Sequence, residues 1–194
     1  RLFFFGSDAA GQLAIFSYLT GSDGSAVDLD SIALGAGFVG QQMVAYTNGV
    51  AFTAHDAAND QTFMGSYIDS DADGAFELYG YTYSGQVEQL AADPGTGRSA
   101  YVIDDGITDT LYRSGYLGTI DLVAQFTGEI TDVTFGADLL TWIATADGGA
   151  PALYAYDYAT NTVLEVPTDE AAPVGDVGSG FASSYANVAT NGGF

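Results

Sequence analysis

Short apolar segments recur along the chain, and no long stretch shows the apolar period of a helix. Runs of β-branched and aromatic residues, such as Leu2–Phe5, Val50–Ala54, Ala100–Ile103 and Leu139–Thr145, are separated by Gly, Asp and Asn. Each of these four runs leads into a turn that contains aspartate. The pattern therefore predicts an all-β protein of short strands joined by Asp-bearing turns.

The turn aspartates follow one another at a nearly constant interval. Asp8, Asp56 and Asp104 are evenly spaced, and Asp147 follows after a slightly shorter interval. A repeat of about 40–50 residues is typical of propeller blades with four strands each. The spacing predicts four blades, with an aspartate at the end of the second strand of each.

The two ends of the chain share a pattern that predicts ring closure. Segments 43–52 and 187–194 both read Val-Ala, then Thr-Asn-Gly, then Phe, and Asn-Gly favours hairpin turns. A C-terminal strand that completes the first blade leaves few free sheet edges. We therefore expect one β domain over residues 1–194, with blades at 185–194 plus 1–34, 38–84, 86–127 and 129–167, and a connecting loop at 168–184. The alternative is a β-sandwich or jelly roll.

In the spacing of its repeat and in its strand ends, the chain resembles the β-propeller repeat proteins over nearly its whole length. The resemblance rests on the Asp-ended second strands and on the split first blade. No Trp-Asp dipeptide, kelch double glycine or Asp-box points to a particular family. The resemblance implies a rigid scaffold that presents a rim of loops.

The charge balance restricts the possible partners. The chain has 3 basic and 25 acidic residues, a net charge of −22, no lysine and no cysteine. Such a chain lacks the basic stripe that nucleic acids require, anionic membranes repel it, and it has no apolar run long enough to span a bilayer. Disulfides, thiolate zinc sites and lysine Schiff bases are excluded. The acidity favours a secreted protein, extracellular or at a cell or particle surface.

One acidic segment has the spacing of a calcium loop. It reads Asp69-Ser70-Asp71-Ala72-Asp73-Gly74-Ala75-Phe76-Glu77. Carboxylates at the first, third and fifth positions converge when a glycine follows, and oxygen ligands of this kind suit Ca²⁺. The segment resembles the nine-residue calcium loops of integrin-type blades, with Glu77 in place of the usual Asp. We expect a structural Ca²⁺ held by Asp69, Asp71, Asp73 and Glu77; the alternative is an acidic turn without metal.

Two tyrosine stripes are candidates for partner contact. Their members are Tyr79, Tyr81, Tyr83, Tyr154, Tyr156 and Tyr158. A period of two places the three rings of a stripe on one face of a strand. Such rings either pack between adjacent blades or contact sugars and proteins. We expect packing; the alternatives are partner contact and a mixed case in which the outermost ring is exposed.

No catalytic motif is present. His55 and Asp56 are adjacent in a predicted strand, so their side chains point to opposite faces and do not form a relay. We expect Arg98 and Arg113 to form ion pairs with aspartates and Trp142 to lie in the core.

The sequence therefore favours a non-enzymatic binding or adhesion module, stabilised by calcium, whose rim of loops and tyrosines contacts a glycan or a protein. One alternative is a structural subunit or decoration of an extracellular assembly, such as a surface layer, filament or virus particle. A second alternative is a secreted polysaccharide hydrolase or lyase.

Overall fold

The computed structural model describes residues 1–20, 26–115, 119–136, 138–146 and 149–166. Within these ranges all regular secondary structure is β-strand, in 15 strands. No helix long and apolar enough to cross a membrane occurs in the described part of the chain.

The strands form four antiparallel sheets, each built from strands that are consecutive in sequence. The first sheet contains β1 (Leu2–Ser7), β2 (Leu13–Thr20) and β3 (Ala26–Gly35). The second contains β4 (Val39–Tyr46), β5 (Gly49–Asp56), β6 (Gln61–Ile68) and β7 (Glu77–Ser84). The third contains β8 (Gln86–Ala92), β9 (Ser99–Asp104), β10 (Asp109–Ser114) and β11 (Ile120–Phe126). The fourth contains β12 (Gly128–Gly136), β13 (Leu139–Ala146), β14 (Ala152–Asp157) and β15 (Thr162–Glu165).

These sheets are the four blades predicted from the repeat, so the all-β fold class and the four-bladed propeller are confirmed. In each four-stranded blade, the first strand, A, lies against the A strand of a neighbouring blade, through contacts of β4 with β8 and of β8 with β12. The following strands B, C and D lead outwards. The predicted closing strand (185–194) and connecting loop (168–184) lie outside the described residues, and β1, β2 and β3 are the B, C and D strands of the first blade.

Hydrophobic clusters join neighbouring blades. Between the first and second blades, Ile15 packs with Val50, Phe52 and Tyr67. Between the second and third, Met64 packs with Val87, Tyr101 and Ile103. Between the third and fourth, Val102 and Leu111 pack with Leu140 and Trp142, which is fully buried as predicted. The core of the molecule therefore lies between the blades.

Aspartates end the B strands because their carboxylates cap the B–C turns. Asp8 Oδ1 accepts hydrogen bonds from the backbone N–H groups of Ala10 and Gln12, at 2.9 and 2.8 Å. Asp56 and Asp104 accept equivalent bonds two residues on, from Ala58 at 3.0 Å and Gly106 at 2.6 Å. The fourth aspartate of the repeat, Asp147, lies outside the described residues.

The up-and-down path of the strands gives the propeller two distinct faces. The A–B and C–D connections emerge on one side, which we call the AB face, and the B–C and D–A connections emerge on the other, the BC face. The Asp-capped turns at Asp8, Asp56 and Asp104 lie on the BC face. The acidic loop 69–76 is a C–D connection and therefore lies on the AB face.

Candidate functional site

The acidic loop joins β6 to β7 and is fixed at both ends. At its start, the backbone N–H of Asp69 donates to the carbonyl of Asn48 in the neighbouring A–B turn, at 3.0 Å. In its middle, Ala72 and Gly74 take positive φ values of 62° and 91°. Left-handed residues of this kind turn the chain sharply, and only glycine adopts them without strain. The loop therefore curls on itself, which brings its acidic side chains close together.

Three of the four predicted ligands converge in this loop. Carboxylate oxygens of Asp69, Asp71 and Asp73 all lie within 4.8 Å of one another. Asp69 Oδ2 accepts a hydrogen bond from Gly74 N at 3.1 Å, whereas Asp69 Oδ1 is buried and has no hydrogen-bond partner in the described part of the chain. The arrangement leaves strong oxygen ligands directed at one small volume, as hard cations require.

The fourth predicted ligand takes a different position. Glu77 is not part of the converging group of carboxylates. Its Oε2 accepts a hydrogen bond from Ser70 N at 3.1 Å, which ties the end of the loop to its beginning. Within the loop, the backbone N–H of Ala75 donates to Asp73 Oδ1 at 2.8 Å. Glu77 therefore fastens the loop in this structure.

A recess of about 300 Å³ adjoins the loop on the AB face, between the first and second blades. Phe3 and Phe76 form apolar walls, and Asn48 and Asp69 contribute polar groups. The guanidinium of Arg1 lies over the Phe76 ring, with its central carbon 4.6 Å from the ring centroid. The recess combines apolar walls with groups of both charge signs, as ligand sites commonly do.

The first tyrosine stripe, on β7, divides into packed and exposed rings. Tyr83 packs against the cluster between the second and third blades, and its ring centroid is 5.1 Å from that of Tyr112. Tyr79 packs beside the same two blades. Tyr81 is 49% exposed. Packing between blades therefore accounts for Tyr79 and Tyr83, and Tyr81 is the ring of this stripe most open to a partner.

The second stripe, on β14 and the turn after it, is mostly covered. Tyr154 stacks on Trp142, with ring centroids 5.8 Å apart, and also contacts Phe126 of the third blade. Tyr156 is 6% exposed, and its hydroxyl donates to Asn161 Oδ1 at 2.8 Å. The faces of these rings are occupied by protein side chains and are not open platforms for sugars.

Tyr158, the last ring of this stripe, is contacted by two of the three arginines. Arg98 lies over its ring at 4.0 Å from the centroid, and Arg113 lies 5.4 Å from the same centroid. Burial raises the pKa of Tyr158 to about 12, although both arginines act to lower it, so its hydroxyl stays protonated. This arginine–tyrosine cluster, defined by Arg98, Arg113 and Tyr158, lies on the AB face between the third and fourth blades.

The expectation of ion pairs is right for one arginine and wrong for the other. Arg113 pairs with Asp121 on the adjacent strand, at 3.0 Å. Arg98 has no ion pair and no side-chain hydrogen bond within the described ranges, and contacts the Tyr158 ring instead. The acid nearest to it in sequence, Asp93, accepts bonds from Gly95 N at 2.9 Å and from the Thr96 hydroxyl. The Asp93 carboxylate therefore caps this turn and does not pair with Arg98.

Comparison with known proteins identifies structural neighbours only. No protein-family model and no curated protein matches the chain. Prolyl oligopeptidase B from Galerina marginata matches with a TM-score of 0.51 and 11% identity, over 84% of this chain and 24% of that one. TolB from Acinetobacter baumannii matches with a TM-score of 0.49 and 12% identity, over 86% of this chain and 41% of TolB. The Dos1 propeller matches with a TM-score of 0.49 and 11% identity, over 88% of this chain and 49% of that one. The chain therefore spans less than half the length of each of these neighbours.

The fold is a β-propeller. At these identities the likeness concerns the architecture alone, and the functional argument rests on the residues of this propeller.

The BC face of the propeller holds an acidic cleft that the sequence pattern does not reveal. The cleft measures about 370 Å³ and is lined by Glu88, Asp104, Asp109 and Glu129. Burial, followed by repulsion from neighbouring carboxylates, raises the pKa values of Glu88 and Asp109. These residues belong to different strands of two blades, so no local spacing in the sequence could have grouped them.

His55 lies near the end of β5 and is hydrogen-bonded to Thr62 on the neighbouring strand. Its Nδ1 is 3.0 Å from the hydroxyl of Thr62, directly across the β5–β6 pair. That hydroxyl donates its own proton to the Gly85 carbonyl at 2.7 Å, so His55 Nδ1 is the donor in the first bond. Asp56 instead accepts a hydrogen bond from the Asn59 side chain at 2.6 Å, and the two adjacent side chains act separately, as alternation along a strand requires.

Proposed function

We propose that this protein is a non-enzymatic binding module, a small propeller whose AB face contacts a partner outside the cell and whose loop 69–77 binds Ca²⁺. The observation that carries the proposal is the convergence of three carboxylates beside the recess on that face. Rigid scaffolds with functional loops at one rim are a common way to build a binding site.

The chemistry of the loop supports calcium. Three carboxylates within 4.8 Å of one another repel strongly unless a cation lies between them. Ca²⁺ takes 6–8 oxygen ligands in flexible geometry, so the Ala75 carbonyl, water and a rotated Glu77 could complete its shell. Asp71 and Asp73 are exposed. An open site of few ligands suits the roughly 10⁻⁴–10⁻³ M affinities of extracellular calcium modules.

Calcium would act on the surface that the partner contacts. Asp69 and Phe76 belong to the loop and also line the recess, so ordering of the loop fixes the walls of the recess. All three arginines of the chain are also placed on this face, since Arg1 and Arg98 precede B strands and Arg113 lies near the end of a C strand. A protein or a glycan is the proposed partner, and the covered tyrosine faces favour a protein.

A calcium titration monitored by thermal melting tests the proposal. At a free Ca²⁺ concentration of 100 times the dissociation constant, binding to the native state alone stabilises by about 2.7 kcal/mol. We expect Asp71→Asn to abolish the rise in melting temperature. Asp105→Asn removes one charge on the opposite face and keeps an oxygen acceptor for Ile107 N, so it should retain the response.

Two outcomes would contradict the calcium site. One is an unchanged melting temperature when Ca²⁺ is added to chelator-treated protein. The other is an equal response in the two variants, which would indicate general screening of the negative charge. A glycan array probed with and without Ca²⁺ then separates the two partner classes, because a blank array leaves a protein as the partner.

A structural subunit of an extracellular assembly is the second candidate. Outer D strands carry exposed apolar side chains: Tyr81 on β7 is 49% exposed, Leu122 on β11 is 57% and Leu164 on β15 is 53%. Exposed apolar groups on sheet edges are features of interfaces between chains. Light scattering after size exclusion tests this candidate, and a monomer at every concentration would exclude assembly of like copies.

A further inference from the structure

The arginine–tyrosine cluster concentrates positive charge in a chain that is otherwise acidic. Arg98 and Arg113 are two of only three cationic side chains in a protein of net charge −22. Their guanidinium carbons lie 4.0 and 5.4 Å from one ring centroid, that of Tyr158. Contact with the face of an aromatic ring holds a guanidinium in place without using its N–H donors.

Arg98 therefore presents donors that the described protein does not use. It makes no ion pair and no side-chain hydrogen bond within the described ranges, while Asp93 is engaged in its own turn. A guanidinium has five N–H donors in a planar fork that matches a carboxylate in bidentate geometry. Arg98 is partly buried, so part of its hydration has already been lost in the unbound protein.

Arg113 supplies the second positive charge and is already restrained. It lies over Tyr156 at 5.0 Å from the centroid and pairs with Asp121, whose side chain is 56% exposed. Only the Asp121 side of this pair is open to solvent, and from that side a second acid can compete for Arg113. Both guanidinium groups contact the Tyr158 ring, so one anionic group bound beside that ring can meet both.

The whole-molecule charge limits which anion fits. Two arginines can offset one negative charge locally, but a polyanion approaching a protein of net charge −22 is repelled along its length. The ring faces of Tyr156 and Tyr158 are covered by arginines and by other aromatic side chains, so they cannot stack on a uronic acid sugar. An isolated acidic side chain meets both conditions.

We infer that Arg98 and Arg113, held by Tyr158, form a receptor for a single carboxylate side chain, Asp or Glu, of a protein partner. This inference rests on the proposed binding function and places one partner contact between the third and fourth blades. The loop 69–77 lies in the second blade, so carboxylate binding at this cluster does not require Ca²⁺.

Side-chain NMR offers a direct test because the chain has three arginines and no lysine. The Nε–Hε spectrum therefore contains three signals, which Arg1→Gln and Arg98→Gln assign. The probe is the capped peptide acetyl-Gly-Glu-Gly-amide, and its isosteric control is acetyl-Gly-Gln-Gly-amide. We expect saturable shifts of the Arg98 and Arg113 signals with the glutamate peptide only, both in chelator and in Ca²⁺, and no shift of the Arg1 signal.

The variants sharpen the result. Arg98→Gln should weaken glutamate-peptide binding at least tenfold, and Arg98→Lys, which keeps the charge and loses the fork, by several-fold. Gln86→Ala, at an exposed position on the BC face, should leave binding unchanged. If Arg98→Gln does not fold, the wild-type titration decides alone. Absent shifts, equal shifts of all three signals, or tighter binding of galacturonate or inorganic phosphate than of the peptide would overturn the inference. Loss of the calcium response without loss of these shifts would count against the calcium loop and not against this receptor.

Discussion

Glycines that lie beneath aromatic rings set the distance between strands and between blades. At Gly40 on β4, an added Cβ would lie 2.5 Å from the Phe5 ring of the first blade. At Gly65 and Gly80, which face each other across β6 and β7, the Phe63 ring occupies the same space, at 2.5 and 2.6 Å. The rings replace the missing side chains, and the glycines allow the backbones to approach.

Gly40→Ala should therefore be destabilising. The new methyl would meet the Phe5 ring near its attachment point, so relief requires the blade interface to move. Overpacking of this kind costs about 1–3 kcal/mol. Gly95→Ala is the matched control, because its Cβ would make only an ordinary contact of 3.5 Å with Asp93. Chemical denaturation measures both, and equal free energies of unfolding would contradict the packing argument.

A left-handed residue closes the β5–β6 turn after the Asp56 cap. Asp60 has a φ of 49°, and Asn161 takes the same place after Asp157, with a φ of 54°. Asp60→Ala should lower the free energy of unfolding by about 1 kcal/mol, because alanine adopts this region less readily than Asp or Asn. Asp60→Asn removes the same charge and should preserve stability. A similar loss in both variants would assign the effect to charge and not to backbone geometry.

At the scale of the strands, glutamines on the A strands connect the second blade to the third and the third to the fourth. The β4 ladder shifts register between Gly40 and Gln42, and the β8 ladder between Val87 and Gln89. Just after each bulge, the glutamine amide reaches the next A strand: Gln42 donates to Glu88 O at 2.8 Å, and Gln89 donates to Ile130 O at 3.0 Å. Gln89 also accepts a bond from Val133 N at 3.2 Å.

Gln89→Ala should be more destabilising than Gln42→Ala. It leaves two backbone groups of β12 without partners in a partly buried position, and each such loss costs roughly 1–3 kcal/mol. Gln42 serves one carbonyl at an exposed position. Gln86→Ala, at an exposed position of the same strand as Gln89, should be neutral. Thermal or chemical unfolding of the three variants gives the ranking of their stabilities. A neutral Gln89→Ala would contradict the stabilising role of the Gln89 bridge to β12.

The sequence pattern predicted elements better than the contacts between them. The strand order and the B strands that end at Asp8, Asp56 and Asp104 follow from local turn chemistry and repeat spacing, both of which are properties of consecutive residues. The convergence of Asp69, Asp71 and Asp73 follows from spacing as well. Other features depend on which residues the fold brings together, and the local sequence pattern does not predict them. They are the Glu77 bond to Ser70, the lack of an acidic partner for Arg98 and the bridge made by Gln89.

For the whole molecule, the three arginines share one face. They lie on the AB face together with the acidic loop 69–76, whereas the BC face carries the turns capped by Asp8, Asp56 and Asp104 and the acidic cleft. In the cleft, Asp109 is 4% exposed and its Oδ2 accepts a hydrogen bond from Ile130 N at 2.6 Å. Burial and the nearby carboxylates disfavour ionisation there and raise the pKa values of Glu88 and Asp109.

Stability should therefore increase as the pH falls towards about 4, the ordinary pKa of these carboxyl groups. Because burial raises the pKa values of Glu88 and Asp109 in the folded state, the folded protein binds their protons more tightly than the unfolded chain does. This contribution is complete below the unfolded pKa values, near about pH 4, and is lost as the pH rises through the folded ones. Asp56 and Asp157 act in the opposite sense, because hydrogen bonds lower their pKa values and their contribution is lost only in more acidic solution.

Melting temperatures between pH 4.5 and 8 test this assignment to the cleft. The double variant Glu88→Gln and Asp109→Asn should flatten the profile and raise the melting temperature at pH 7, while the amide oxygen of the substituted side chain at position 109 can still accept the bond from Ile130 N. Salt separates the cleft from the general repulsion of a −22 chain, because added salt screens exposed charges and leaves a desolvated carboxylate largely unscreened. A pH slope that persists in the double variant but disappears in high salt would place its origin in the surface charge as a whole. A slope that survives salt in the wild type and is lost in the variant locates it in the cleft between the third and fourth blades.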